Sequence, residues 1–284
     1  MTATAQRELL RKHLADNHCI QPASVFDPIS ARIASSLGLN IGMLAGSVAS
    51  GVVIGAPDIT LITLSELVEQ SRRITRASNI SLIVDADHGY GNALNVMRTI
   101  QELENADVAA LTIEDTSLPP LFGGSGDSLI SIDEARKKLH AALQSRKDPA
   151  TIIVGRTSAM GSEGIEGTLK RIEAYSATGI DALFFTRITT IDQLKAIHQS
   201  TSLPIFLGSA PPALRDPSLL ADHGVRISIQ GHTPFEQMIL GLYSSMQEQA
   251  QINYQSHEKL SDEAIIQIAL ASQEYKEWQQ DFLQ

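Results

Sequence analysis

Eight short apolar runs punctuate the chain, and most are followed by a stretch in which apolar residues recur at helical spacing. They are SVFDP (24–28), IGMLAGS (41–47), SLIVDAD (81–87), VAALTIED (108–115), TIIVGRT (151–157), DALFFTR (181–187), LPIFLGS (203–209) and VRISIQGH (225–232). Each is nearly continuous in apolar residues instead of alternating, the mark of a strand covered on both faces and so parallel to its neighbours. Helix starts lie between them. Ser131 with Glu134 and Thr63 with Glu66 have capping-box spacing, and Thr233-Pro-Phe-Glu236 adds proline at the first helical position. Eight strands alternating with helices predict an α/β fold, a (β/α)8 TIM-type barrel. A doubly wound open sheet is the alternative.

Residues 1–284 are expected to form one domain, with 255–284 a C-terminal helical extension after a polar break at Gln255–Lys259. In that extension Ile265, Ile268, Ala269, Tyr275, Trp278 and Phe282 fall on one broad face. The face either packs on its own barrel or covers a neighbouring subunit.

Composition narrows the function. With 43% hydrophobic and 19% charged residues, the 284-residue chain reads as an ordinary globular protein. Its formal charge of −10 argues against nucleic acid, because phosphate binding needs clustered Lys and Arg. An anionic substrate would be held only by local positive groups or a metal. One cysteine, Cys19, allows no internal disulfide and suits a reducing compartment. The start, MTATAQRELLRKHLADN, reads as an amphipathic helix and not a signal peptide. No apolar run has the length of a membrane span. The cytoplasm is the expected location.

In a barrel, the active site lies at the C-terminal ends of the strands. Those ends carry Asp27, Ser47, Asp85 with Asp87, Glu114 with Asp115, Arg156, Arg187, Ser209 and His232. Three or more carboxylates gathered on one rim would repel and raise one another's pKa, a conflict that a hard divalent cation resolves. Magnesium takes six oxygen ligands, commonly one or two carboxylates and several waters. Asp85 is the candidate for direct contact, with manganese a possible substitute ion. Asp87 and Glu114 could hold metal-bound waters, and Asp58 in GAPDIT is a fourth candidate. Zinc fits less well, since the cluster has no thiolates and no paired histidines. Arg156 could grip a carboxylate through two parallel hydrogen bonds, and Gly46-Ser47 offers N–H groups and a hydroxyl to a second anionic group. His88 is expected to point away from Asp85 and Asp87 in a structural, hydrogen-bonding role. Arg187 is expected to orient the site, for instance by pairing with Glu114.

SVFDPISARIAS, LAGSVAS, DADHGYGNALNVMRTI, LTIEDT and GRT (155–157) together resemble the isocitrate lyase/phosphoenolpyruvate mutase superfamily. GSVAS, IEDT and GH (231–232) are most similar to its oxaloacetate decarboxylase branch. The resemblance implies a magnesium-dependent barrel, an eighth helix exchanged between paired subunits, and a homotetramer built as a dimer of dimers. It further implies that Ser47 contacts substrate, Asp85 binds the metal, and Asp87, Glu114 and Asp58 support the metal through water. Arg156 and His232 would hold the carboxyl groups of a small 2-oxo acid.

The implied reaction is oxaloacetate decarboxylation to pyruvate and carbon dioxide through a metal-stabilised enolate, with Arg156 and His232 as its catalytic residues. A different C–C or C–P lyase and a non-catalytic 2-oxo acid binder are the alternatives. The loop SLPPLFGGSGDSLIS (117–131) lacks the general-acid cysteine of the superfamily's lyases, which disfavours isocitrate-type cleavage. Gly123, Gly124 and Gly126 suit that loop to act as a gate. Ser209 stands where the decarboxylase branch would carry a tyrosine. No lysine at a strand end is placed for a Schiff base.

Overall fold

A computed structural model describes residues 1–124, 128–253 and 260–284. Eight parallel strands follow one another around a single sheet: β1 (Ala23–Ser24), β2 (Ile41–Leu44), β3 (Ser81–Asp85), β4 (Ala110–Glu114), β5 (Ile152–Thr157), β6 (Ala182–Phe185), β7 (Ile205–Gly208) and β8 (Val225–Ile229). Ile20, just before β1, pairs in parallel with Ile227 of β8 and brings the sheet's two edges together. Seven strands lie inside their apolar runs, and β1 begins one residue ahead of SVFDP. The barrel expectation holds and the open-sheet alternative falls.

The helices on the chain are α1 (Ala3–Ala15), α2 (Pro28–Ser36), α3 (Gly46–Ile54), α4 (Leu64–Ala77), α5 (Ala93–Glu104), α6 (Ile132–Ser145) and α7 (Ala159–Ser162). They continue with α8 (Gly164–Ser176), α9 (Ile191–Ser200), α10 (Pro217–Asp222), α11 (Thr233–Asn253), α12 (Asp262–Ala269) and α13 (Ser272–Leu283). Thr63 and Glu66 form the full reciprocal capping box of α4. Ser131 caps α6 by accepting the Glu134 N–H, and no return bond closes the box. Asp27 caps α2, its carboxylate accepting the Ser30 N–H at 2.7 Å.

Two apolar layers account for the strands' continuous apolar character. Leu82, Val84, Leu111, Ile113, Ile153, Leu183 and Leu207 face the helices. Ile83, Ala110, Ile152, Val154, Ala182, Phe184 and Phe206 fill the interior with Leu10 and Leu14 of α1. Because side chains alternate along a strand, the interior parity of Ile83 continues to Asp85. That of Ala110 leads to Thr112 and Glu114, and that of Val154 to Arg156. The acids at the rim are extensions of the inner layer.

Helix α1 closes the opposite end. Buried Arg7 donates to the carbonyls of Val108 at 3.0 Å and Glu104 at 2.7 Å, and to the Asp148 carboxylate at 2.7 Å. Arg7→Ala should cost about 3 kcal/mol, the low end for breaking a buried ion pair, since Asp148 keeps other donors. Burial pushes the Asp148 pKa up, but Arg7, the Ala150 N–H and Thr4 outweigh it and hold the carboxylate below its ordinary 3.8. Its stabilisation is therefore present above 3.8 and is lost as pH falls through the lowered value. Thermal melts of both proteins across pH should show the gap narrowing below that point.

The C-terminal extension departs from expectation. The polar break at Gln255–Lys259 lies outside the described residues. Beyond it, the predicted single face divides between α12 and α13, because Ala271 takes a left-handed turn with φ of 49°. Ile265 is buried on its own chain, whereas Ile268 and Phe282 remain exposed.

Candidate active site

The interior parity of β3, β4 and β5 sets the core of the site. Asp85 ends β3 opposite Thr112, and Glu114 ends β4 opposite Arg156. The Thr112 hydroxyl donates to Asp85 Oδ1 at 2.8 Å, and Arg156 donates to Asp85 Oδ2 at 2.5 Å. The Arg156 Nε lies 3.1 Å from Glu114 Oε2, so one guanidinium spans both carboxylates. Its carbon sits 5.2 Å from the Phe184 ring centroid, in cation–π range. Burial works against the Arg156 charge, but Asp85, Glu114 and Asp87 outweigh it and raise the pKa above its ordinary value.

Past β3 the chain turns sharply, with Asp87 at φ 46° and Tyr90 at φ 62°. Side chains held in this left-handed region mark a backbone constrained by its surroundings. The turn brings Asp87 against the start of α3. A Cβ on Gly46 would lie 2.5 Å from Asp87 Oδ1, so the carboxylate rests on bare backbone. The N-cap of α3, Ala45, has no side-chain cap, which leaves helix N–H groups on that side. Ser47 sits in this first helical turn.

Gly46→Ala is expected to displace Asp87 and lower kcat/KM by about 10–100-fold. Its melting temperature should barely move, since alanine favours a helix over glycine by about 1 kcal/mol. Steady-state kinetics beside a thermal melt would check both halves.

Asp58, Asp87, Glu114 and Arg156 line one cavity of about 690 Å³. Burial pushes Asp87 well above the ordinary carboxylate range, with Asp85, Asp58 and Glu114 adding to the shift. Burial likewise raises Asp58, helped by Asp85. Glu114 is pushed up to about 6, chiefly by burial and against the pull of Arg156. Four carboxylates thus gather around Arg156, with Arg187 the other arginine on the cavity wall, and the donor set stays short of positive charge. Among the described residues no three His, Cys, Asp or Glu side chains make a ready cage for an ion. The donor chemistry fits a hard cation held by one direct carboxylate and bridging waters.

His232 lies between the ends of β8 and β1, with Nδ1 3.4 Å from the Ser24 hydroxyl. Burial lowers its pKa, while Glu236 and Asp85 oppose the shift. Ser47, Asp85 and His232 do not line the cavity itself. His88 is buried outside it, but the hydrogen-bonding role expected for it fails at one ring nitrogen: Nδ1 has no hydrogen-bond partner. Burial and Lys138 push the His88 pKa down to about 4. Asp115, one residue past Glu114, points to the helix side and pairs with Arg171 at 3.0 Å.

Arg187 and Ser209 line the cavity, both with left-handed backbone. So do Thr116, Ser158, Thr186 and Thr189, which an inventory of ionisable groups at strand ends passes over. Thr112 joins the site by its interior parity with Glu114, which the strand register fixes.

A family model for phosphoenolpyruvate phosphomutase matches residues 10–251. The chain belongs to that family. Among its relatives, an oxaloacetate decarboxylase of Rhodopseudomonas palustris (strain BisB18) is 51% identical over 250 residues, covering 88% of this chain and 87% of its own. One of Bradyrhizobium diazoefficiens is 54% identical over 234 residues, covering 82% of this chain and 81% of its own. A phosphonopyruvate hydrolase solved with oxalate and magnesium superposes with a TM-score of 0.77 at 23% identity, covering 100% of both chains. A 2,3-dimethylmalate lyase superposes with a TM-score of 0.76 at 23% identity, covering 99% of both. At that identity the likeness to these two structures shows the fold alone.

Proposed function

We propose that this phosphomutase-family chain is a lyase that decarboxylates oxaloacetate to pyruvate and carbon dioxide. The observation that carries the reading is the set Asp58, Asp85, Asp87 and Glu114 around Arg156 at the barrel's C-terminal rim. The relatives at 51% and 54% identity named oxaloacetate decarboxylase support the substrate.

In this reading Asp85 would hold a magnesium ion, with manganese a substitute, and Asp58, Asp87 and Glu114 would support it through water. The ion would supply Lewis-acid stabilisation of the charge that develops on the 2-oxo group. Arg156 binds a substrate carboxylate and turns the diacid so that the C3–C4 bond lines up with the carbonyl π system. Ser47 and the start of α3 hold the carboxylate at the other end. As C3–C4 breaks, its electron pair stays with the three-carbon fragment and carbon dioxide leaves. C3 then takes up a proton. His232, whose pKa burial lowers, orients the departing carboxylate or, after taking up a proton from solvent, passes that proton to C3.

A wider range of 2-oxo acids is the second reading. It is favoured by Ser209 on the wall of the 690 Å³ cavity, whose side chain reaches less far than the tyrosine expected there.

Purified protein with magnesium should release pyruvate from oxaloacetate well above the rate of the metal alone. A rate equal to the metal blank, with turnover of another 2-oxo acid, would replace the first reading by the second. Saturable oxalate binding with no turnover of any 2-oxo acid would leave a binding protein.

The assembly we propose is a homotetramer with helices exchanged between paired subunits. The exposure of Met238, Leu242 and Met246 on α11 and of Ile268 and Phe282 beyond it supports this; light scattering should give four times the chain mass. No helix among the described residues is long and apolar enough to cross a membrane, and a cytoplasmic location is part of the proposal.

A further inference from the structure

Behind the rim, on the helix side of β4, lies a charge cluster that the reaction does not touch. Arg171 of α8 is 3% exposed in its side chain and makes a two-pronged contact with Glu163, at 2.8 and 2.6 Å. Its remaining nitrogen, Nη1, donates to Asp115 Oδ2 at 3.0 Å, to the Ile130 carbonyl at 3.2 Å and to the Tyr175 hydroxyl at 3.0 Å. Tyr175 donates in turn to the same Asp115 oxygen at 2.6 Å.

Asp115 and Ile130 are the two feet of the loop that leaves β4 and returns to α6. Their backbones are joined as well, since the Ile130 N–H donates to the Asp115 carbonyl at 2.8 Å. Above them Ser117 donates to Ser128 at 2.7 Å, and Thr116 pairs with Leu129. Thr116 and Leu118 then line the site cavity. One guanidinium therefore holds both ends of a loop that borders the site.

The same cluster reaches two site residues through the backbone. Glu114 directly precedes Asp115, and the Asp115 N–H donates to the Arg156 carbonyl at 3.2 Å. Glu114, Asp115, Lys138 and Arg156 border one small pocket of about 10 Å³ here. A buried cluster with this much bonding rigidifies what it holds.

We infer that Arg171, Asp115 and Tyr175 are positioning residues: they pin the feet of the β4–α6 loop and so set the placement of Glu114 and Arg156. The inference rests on the proposed decarboxylation for its kinetic consequence only. Its structural consequence, a loop held at both feet, stands without it.

The test uses Tyr175→Phe, which deletes one hydroxyl and keeps the ring, and Arg171→Lys, which keeps the charge and loses the fork. Ile197→Val, at a buried position on α9, is the control for a plain loss of stability. Two readouts are taken on the full chain: kcat and KM for pyruvate release, and the rate of chymotryptic cleavage after Phe122, which is 75% exposed on the loop. Both knot variants should show about tenfold lower kcat with a smaller change in KM, and faster cleavage after Phe122. The control should change neither, even where its melting temperature falls as far. Cleavage and kcat within twofold of wild type in folded Tyr175→Phe protein would overturn the inference. If the wild type releases no pyruvate, the decarboxylase reading fails and the cleavage rates alone decide: faster cleavage in the knot variants upholds the pinning, and unchanged cleavage overturns it.

Discussion

Asp85→Ala is expected to reduce magnesium-dependent pyruvate release by about 10³-fold or more while leaving the fold almost as stable as before. The activity loss follows from the position: Asp85 ends β3 on the interior side, and it is the acid around which Asp58, Asp87 and Arg156 are arranged. Removing a group that fixes charge stabilisation at the reacting atom costs several kcal/mol of barrier. Stability is a contest of two terms. The substitution leaves the Thr112 hydroxyl and one Arg156 N–H without their acceptor, a cost of about 1–3 kcal/mol. Against this, Asp58 and Asp87, raised first by burial and then by Asp85, lose a repelling neighbour. The terms are of similar size, so the net change should stay within about 1 kcal/mol. Kinetics, a manganese titration and a thermal melt of the variant check each part. Activity within tenfold of wild type would remove Asp85 from the metal-contacting role.

Arg156→Lys should prove nearly as damaging although the charge is kept. The guanidinium reaches Asp85 and Glu114 at once and also lies over the Phe184 ring. An ammonium is a point charge on a flexible stem and satisfies one carboxylate at a time. The orphaned partner is then a largely buried acid without its cation, which loosens the rim and costs about 1–3 kcal/mol of stability. The paired grip on a substrate carboxylate is lost as well. A fall in kcat/KM of about 10²-fold is expected, expressed as higher KM and lower kcat together, with a lower melting temperature. A variant with wild-type KM would show that Arg156 orders the acids and does not bind substrate.

The sequence by itself determined the eight strands, their parallel pairing and the rim at their ends. Nearly continuous apolar runs bounded by polar turns leave little choice but a sheet covered on both faces. It also determined the acid-rich DADHGYGN turn, whose glycines and aspartates admit a sharp left-handed bend. What it left open was parity. Along a run such as VAALTIED, apolar residues occupy both faces, so the pattern does not say which side faces the barrel interior. The register against neighbouring strands turns Glu114 inward beside Arg156 and sends Asp115, the next residue, to a buried pair with Arg171. Tertiary structure likewise turned Asp27 into a helix cap and divided the C-terminal helix at Ala271. It also gathered hydroxyls from the ends of four strands into one cavity. The register and the shared cavity depend on contacts between segments distant along the chain, and local pattern carries no record of such contacts.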